Sequence, residues 1–242
     1  MSEQNNRENI NTWLSEINVE SKTAVSVDCV IFGYNDLELS VLQIECNMPP
    51  YEGMMSLLGD IVKNNETLDQ AANRILFEIS GLNNIYLEQV HSFSAPDRHP
   101  LGRVISVAYY ALVKTDTIAL EDKANKDLKW IPIRKIDEMA FDHRKILDIC
   151  LDSLKRTIRN RPIGFNLLPK KFTLIQLQRL YEVILEIELD KRNFRRKLQA
   201  TDLLIDLGET QSQVSHRPAK LYSFDFDKYE LLRKEKGLKF DL

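Results

Sequence analysis

The chain of 242 residues carries a net charge of −3 and is 43% apolar, enough for one large cored domain or two small ones. Its three cysteines, Cys29, Cys46 and Cys150, are too few and too scattered for a disulfide framework or a zinc site. No apolar run approaches bilayer-spanning length, and the polar start, residues 1–6, lacks the apolar stretch of a signal peptide. A cytoplasmic protein with no membrane partner is expected.

The charge is unevenly spread. Residues 1–154 hold 24 acidic and 14 basic side chains, residues 155–220 hold 7 and 14, and the last 22 residues hold 5 of each. An acidic front and a basic back suggest two domains, the second facing a polyanion.

In chain order, Ile10, Trp13, Leu14 and Ile17 stand at helical spacing among polar residues and predict a short amphipathic helix. Val25, Val27, Cys29 and Ile31 alternate with Ser26, Asp28 and Val30, as in a strand. After the turn Gly33-Tyr34-Asn35-Asp36, Leu37, Leu39 and Val41 alternate again, so a hairpin is expected. Thr67 and Gln70 form a capping box for a helix whose stripe is Leu68, Ala71, Ala72, Ile75, Leu76 and Ile79, and Gly81 can end it in a left-handed turn. Further strands are read at 85–93 and 103–113, separated by the polar loop 94–102. Strands mixed with a helix without regular alternation predict an α+β domain. Asp142 is placed to cap a helix from His143 to about Asn160. Its terminal Arg156, Arg159 and Arg161 suit the negative end of the helix dipole.

The capped helix carries a motif. With its preceding loop it resembles the Nudix box, G-x5-E-x7-R-E-U-x-E-E-x-G-U with U aliphatic, the signature of a magnesium-dependent pyrophosphate-cleaving site. Glu66, Arg74, Leu76, Glu78, Gly81 and Leu82 match, Asp60 takes the first glycine position, and Ile75 and Ile79 replace two glutamates. Those glutamates lie four apart on one helix face and would hold the metal; two isoleucines cannot bind a hard cation. No catalytic residue, metal or cofactor is therefore expected. Asp60, Lys63 and Glu78, with Asp97, Arg98 and Arg103 from the following loop, surround the ancestral cleft and are the candidate ligand contacts. The plainer alternative for Glu78 is a pair with Arg74.

In the basic half, Thr173 and Gln176 form a second capping box before a stripe of Leu174, Leu177, Leu180, Tyr181 and Ile184. After a short turn, Asp190 caps a helix anchored by Phe194 and Leu198. Lys191, Arg192, Asn193, Arg195, Arg196 and Lys197 cover its other face. Arginine can read guanine, asparagine can read adenine, and the cations grip phosphate. A solvated face is the bland reading, but the order helix, tight turn, basic helix and two strands resembles a winged helix-turn-helix. The strands are read at 203–207 and 220–224, with His216 and Arg217 near the wing tip as further candidate DNA contacts.

Together these stretches resemble the Nudix-related transcriptional regulators. The markers are the altered box, the segment Ser94 to Val107, Ala140-Phe141-Asp142-His143, and Asp190 to Lys197. The resemblance implies an N-terminal Nudix-like mixed-sheet α/β/α sandwich (residues 1–160), a linker (161–169) and a C-terminal winged helix-turn-helix domain (170–242). It implies a homodimer on a palindromic operator in double-stranded DNA, controlled by a small-molecule effector in the inert cleft. Overall similarity points to the sugar-responsive branch, with L-arabinose as effector; ADP-ribose is the alternative. A residual Nudix hydrolase acting on ADP-ribose-like nucleoside diphosphates and an RNA-binding protein are the competing functions.

Overall fold

The computed structural model describes residues 23–83, 85–117, 127–212 and 217–236. The helix expected in the first 20 residues and the side chain of His216 lie outside them. Strand β1 (Ala24–Tyr34) runs through the middle of a mixed seven-stranded sheet. It pairs in parallel along its whole length with β6 (Val104–Lys114), whose other edge carries β5 (Glu88–Phe93). On its opposite edge the second half of β1 forms the expected hairpin with β2 (Leu39–Glu45). Its first half pairs instead with β4 (Leu58–Ile61). Strands β3 (Met55–Ser56) and β7 (Leu128–Pro132) complete the sheet along β2. The strand read from residue 85 begins only at Glu88.

Two helices sandwich the sheet. Helix α1 (Leu68–Ser80) has both halves of its capping box formed and ends at Gly81 with φ 73°. It buries Ala71, Ala72, Ile75 and Leu76 against Val27, Cys29, Ile31 and Val107, the odd-numbered face of β1 and β6. The even-numbered face, Val30, Phe32, Ala108 and Tyr110, packs with Ile146, Leu147 and Cys150 of α2 (His143–Asn160). This is the side-chain alternation of a sheet buried on both faces.

Past α2, the segment read as a linker is a 3-10 turn, Pro162–Leu167, with Phe165 and Leu167 buried. The turn is part of the core because its apolar side chains are covered by the domain that follows. That domain has α3 (Leu174–Leu185), α4 (Lys191–Thr201), the antiparallel pair β8 (Leu204–Thr210) and β9 (Lys220–Phe224), and α5 (Phe226–Lys236). Both predicted caps form: Thr173 accepts from the Gln176 amide, and Asp190 from the Asn193 amide. One apolar cluster runs without a break from Phe32 and Tyr110 through Leu154, Ile158 and Phe165 to Ile184, Phe194 and Phe224.

Ile158 sits at this junction, fully buried, with its Cδ1 packed beside the backbone of Gly164. Ile158→Ala is expected to lower stability by about 2–5 kcal/mol. Because the core is shared, hydrogen exchange of β6 and α3 amides should accelerate together. Acceleration confined to one of the two elements contradicts a single cooperative core.

Candidate ligand cleft and nucleic-acid interface

Where β1 changes partner from β2 to β4, the sheet parts and a cleft of about 730 Å³ opens. Its walls are the start of β1, the chain after β2, strand β4, the loop 98–103 and the residues that lead into α2. The volume falls in the range of small-molecule sites, about 300–1,000 Å³.

Three of the predicted ligand residues, Asp60, Arg98 and Arg103, line this cleft; Lys63, Glu78 and Asp97 do not. Lys63 and Asp97 are exposed on their loops. Glu78 pairs with Arg74 at 3.2 Å, the plainer of the two roles open to it. Asp60 is drawn to the same cation: Arg74 Nη1 donates to its Oδ2 at 3.0 Å. Glu66 takes the remaining side of the guanidinium, with Nε at 2.9 Å and Nη2 at 2.7 Å, and Nη2 also donates to the Ile61 carbonyl. All five N–H groups of Arg74 are thereby used. The Glu66 carboxyl is pulled down to about 2, first by the bond from Arg74 and then by its bond from the Lys63 amide.

This arrangement does not suit a magnesium ion. Ile75 is buried under the sheet and Ile79 lines the cleft wall, so neither family carboxylate position offers an oxygen. The carboxylates that remain are turned toward Arg74. Among the described residues no group of three or more His, Cys, Asp or Glu side chains could hold a metal.

The floor of the cleft holds a polar cluster of which the sequence singled out only Arg98 as a ligand contact. Asp28 is buried at 5% exposure, and its Oδ2 accepts a very short bond from Ser106 Oγ. Its Oδ1 fills the space a side chain at Gly59 would need. His143 accepts the Leu57 amide at Nδ1 (3.0 Å), which leaves its proton on Nε2, 3.6 Å from Asp28 Oδ1. Burial lowers the His143 pKa, against the pull of Asp28 and Asp142. Arg98 is also buried; it forks onto Asp142 at 3.0 and 2.6 Å and approaches Asp28 at 3.7 Å. Asp142 therefore does not cap α2 as expected: its carboxylate is committed to Arg98 and makes no cap bond. Above the cluster, His99 stacks on Phe141 (5.1 Å, 7°), which also meets Tyr51 at 4.5 Å. A lone aspartate inside the alternating run of β1 was the available signal for Asp28; its partners lie too far away in sequence to be read.

On the basic domain, the turn before α4 is built by buried Gln178, whose Nε2 donates to Glu182 Oε1 (2.8 Å) and the Leu189 carbonyl (2.9 Å). Glu182 in turn accepts the Leu189 amide, and Glu186 adopts φ 55° to close the turn. Phe194 and Leu198 are buried, with Phe194 against Tyr181, and so fix the rotation of α4. Lys191, Arg192, Asn193, Arg195, Arg196 and Lys197 all face solvent. Among the described residues none of these five cations is in an ion pair; Arg196 instead donates to Asn193 Oδ1 at 2.7 Å. The wing differs. Lys171, Lys220 and Lys228 are paired with Glu209, Asp206 and Asp202. Arg217 is exposed.

Residues 22–150 match the model of the NUDIX domain, and residues 164–224 match that of the NrtR DNA-binding winged helix domain. Three relatives bear on the two sites. An ADPR responsive transcriptional repressor, NtrR, of Acinetobacter baylyi is 30% identical over 211 residues, 85% of this chain and 84% of its own length. The crystal structure of Shewanella oneidensis NrtR complexed with a 27mer DNA superposes with a TM-score of 0.71 at 30% identity, covering 83% of this chain and 93% of that one. The NUDIX domain of that protein complexed with ADP ribose gives 0.51 at 25% identity, covering 60% and 97%. An ADP-ribose pyrophosphatase of Methanocaldococcus jannaschii is 32% identical over 127 residues, 51% of this chain and 70% of its own. These relatives give no support to the expected sugar-responsive branch or to arabinose: the repressor matched over 84% of its own length is ADPR responsive. Overall similarity could not separate the branches because no sugar-reading residue had been identified.

The Arg74 cluster has a signature in acid. Glu66 titrates near 2 in the folded protein instead of near 4.5. A depressed carboxyl stabilises the fold above its ordinary value, and that contribution disappears as pH falls through the folded value. Glu66→Gln should therefore melt below wild type at neutral pH, and the two melting temperatures should converge between pH 4.5 and about 2. A constant gap across that window contradicts the assignment.

Proposed function

The chain belongs to the family of Nudix proteins with an NrtR-type DNA-binding winged helix, and from that premise we propose that it is a transcriptional repressor controlled by ADP-ribose. The observation that carries the reading is the pairing, in one chain, of a metal-unsuited Nudix cleft with a helix whose exposed cations have no acidic partner among the described residues. The repressor and the ADP-ribose complex among its relatives support it.

In this reading residues 1–160 sense the effector, residues 161–169 are the joint and residues 170–242 bind DNA. The pyrophosphate of ADP-ribose meets Arg103, which among the described residues is engaged at Nη1 alone, by the Ser94 carbonyl. The buried carboxylate of Asp28 and the carboxylate of Asp60 offer acceptors to ribose hydroxyls, and Phe141 with His99 offers aromatic surface to the adenine. On DNA, two copies of the chain set their α4 helices into successive major grooves about 34 Å apart, on a palindromic operator. Arg192, Arg195 and Arg196 are the base-reading candidates, Lys191 and Lys197 the phosphate contacts. Asn193, whose Oδ1 already accepts from Arg196, is the candidate for adenine.

Two measurements test the reading. Arg195→Ala or Arg196→Ala is expected to cost about 1–3 kcal/mol of operator affinity where the side chain reads a base, and to flatten the salt dependence by about one unit where it contacts a phosphate. Fluorescence anisotropy that finds both variants unchanged removes α4 from the interface. ADP-ribose should raise the melting temperature equally in magnesium and in EDTA, since the cleft does not suit the ion, whereas L-arabinose should not.

The pyrophosphatase relative favours a second reading, residual hydrolysis. It requires magnesium-dependent turnover of ADP-ribose that is lost in Glu78→Gln. No turnover by the wild-type chain is expected, and turnover would replace the sensor with an enzyme.

A further inference from the structure

Four of the helices, α1, α3, α4 and α5, begin with a side-chain cap bonded to the backbone of the first turn. Helix α2, the longest at 18 residues, has the cap residue but lacks the bond. An aspartate at this position ordinarily accepts from the second or third helical amide, here Arg144 or Lys145. Asp142 instead holds Arg98, which lines the ligand cleft and is 4% exposed. The Arg98 guanidinium is shared between Asp142 and Asp28, and its Nη1 has no hydrogen-bond partner among the described residues. A second anion in the cleft thus finds an arginine already within reach, with one nitrogen unused and with a carboxylate partner that can meet the cap amides once the Asp142 backbone, at φ −97° and ψ 22°, turns to the extended geometry of a cap.

The far end of the same helix touches the DNA-binding half. Ile158 packs beside Gly164, against which Leu180 of α3 also lies, and Lys155 pairs with Glu186 at the turn that leads to α4. Helix α2 is about 27 Å long at 1.5 Å per residue. It joins the cleft floor to the mount of the basic helix through packed side chains, and such contacts shift between discrete arrangements more readily than they stretch.

We propose that Asp142 is the coupling residue of the sensor: it exchanges Arg98 for the first-turn amides of α2 when an effector phosphate claims Arg98. With the effector absent, the Arg98–Asp142 pair ties the loop 94–103 to the start of α2. With the pyrophosphate bound, Arg98 turns to the anion and Asp142 closes the cap, which repositions the helix start. The buried face of α2 carries that shift to Glu186 and α4. The proposal rests on the effector reading above.

The test uses the full chain, ADP-ribose as probe and an operator duplex. In wild type, ADP-ribose should weaken operator binding at least tenfold and slow hydrogen exchange at the amides of Arg144 and Lys145. Asp142→Ser, which can cap but cannot pair with Arg98, should bind the operator weakly without effector and respond less than twofold, while calorimetry still records ADP-ribose binding. Asp142→Ala should bind ADP-ribose with no slowing at those two amides. Circular dichroism and melting of both variants separate lost coupling from lost fold. If either folds poorly, Asp142→Asn, nearly the size of aspartate and able to cap but without the charge that holds Arg98, replaces it: it too should bind the operator weakly without effector and respond less than twofold. Wild-type operator affinity and full response in a folded Asp142→Ser overturn the exchange. A wild-type chain that binds no ADP-ribose overturns the effector reading itself, and the exchange with it.

Discussion

One face of α2 is buried against two partners. Toward its start, Ile146, Leu147 and Cys150 lie in the cluster with the even-numbered face of the sheet; toward its end, Leu154 and Ile158 lie where that cluster passes into the basic domain. Most other arrangements follow from this. The 3-10 turn after α2 is pinned because Phe165 and Leu167 enter the same core, and Phe165 stacks on Phe224 of β9 at 4.1 Å. The wing, the turn and the helix are therefore registered to one another by apolar contacts, which are dense and non-directional but leave little free volume to absorb a displacement.

On the other face of the sheet, one arginine gathers the carboxylates of the box. Nudix boxes hold carboxylates together against their mutual repulsion with a divalent cation. Here Arg74 supplies positive charge to Asp60, Glu66 and Glu78 from within the helix, and Ile75 and Ile79 add to the apolar stripe. The loop-and-helix scaffold survives because its remaining parts satisfy one another. With all five of its N–H groups engaged, the guanidinium ties the loop before α1 to the helix.

Much of this was readable from local pattern. Both capping boxes, the Gly81 termination, the β1–β2 hairpin, the Asp190 cap and the anchoring of α4 by Phe194 and Leu198 are governed by residues at most a few positions apart, or by a regular period. The misreadings have a common cause. Asp142 looked like a cap because its competitor for the carboxylate, Arg98, stands 44 residues earlier. Residues 161–169 looked like a linker because a proline and a glycine signal a turn without saying whether the turn is buried. In the cleft, Asp60, Arg98 and Arg103 were found by their position around the box, whereas Asp28 and His143 meet only through the fold. Lys63, Glu78 and Asp97 were polar residues near the motif whose direction the sequence does not give.

Three paired lysines lead to a consequence of another kind. Lys171, Lys220 and Lys228 each face an acid of the same domain, so part of the domain's positive charge is neutralised in place while the cations of α4 are not. Each phosphate neutralised by a protein strengthens binding to any sequence at all, and a genome presents a vast excess of wrong sites. A domain that keeps these charges to itself limits that indiscriminate attraction. Fewer molecules are then held on irrelevant DNA, and a modest pool of protein suffices to find and leave its operator as the signal rises and falls.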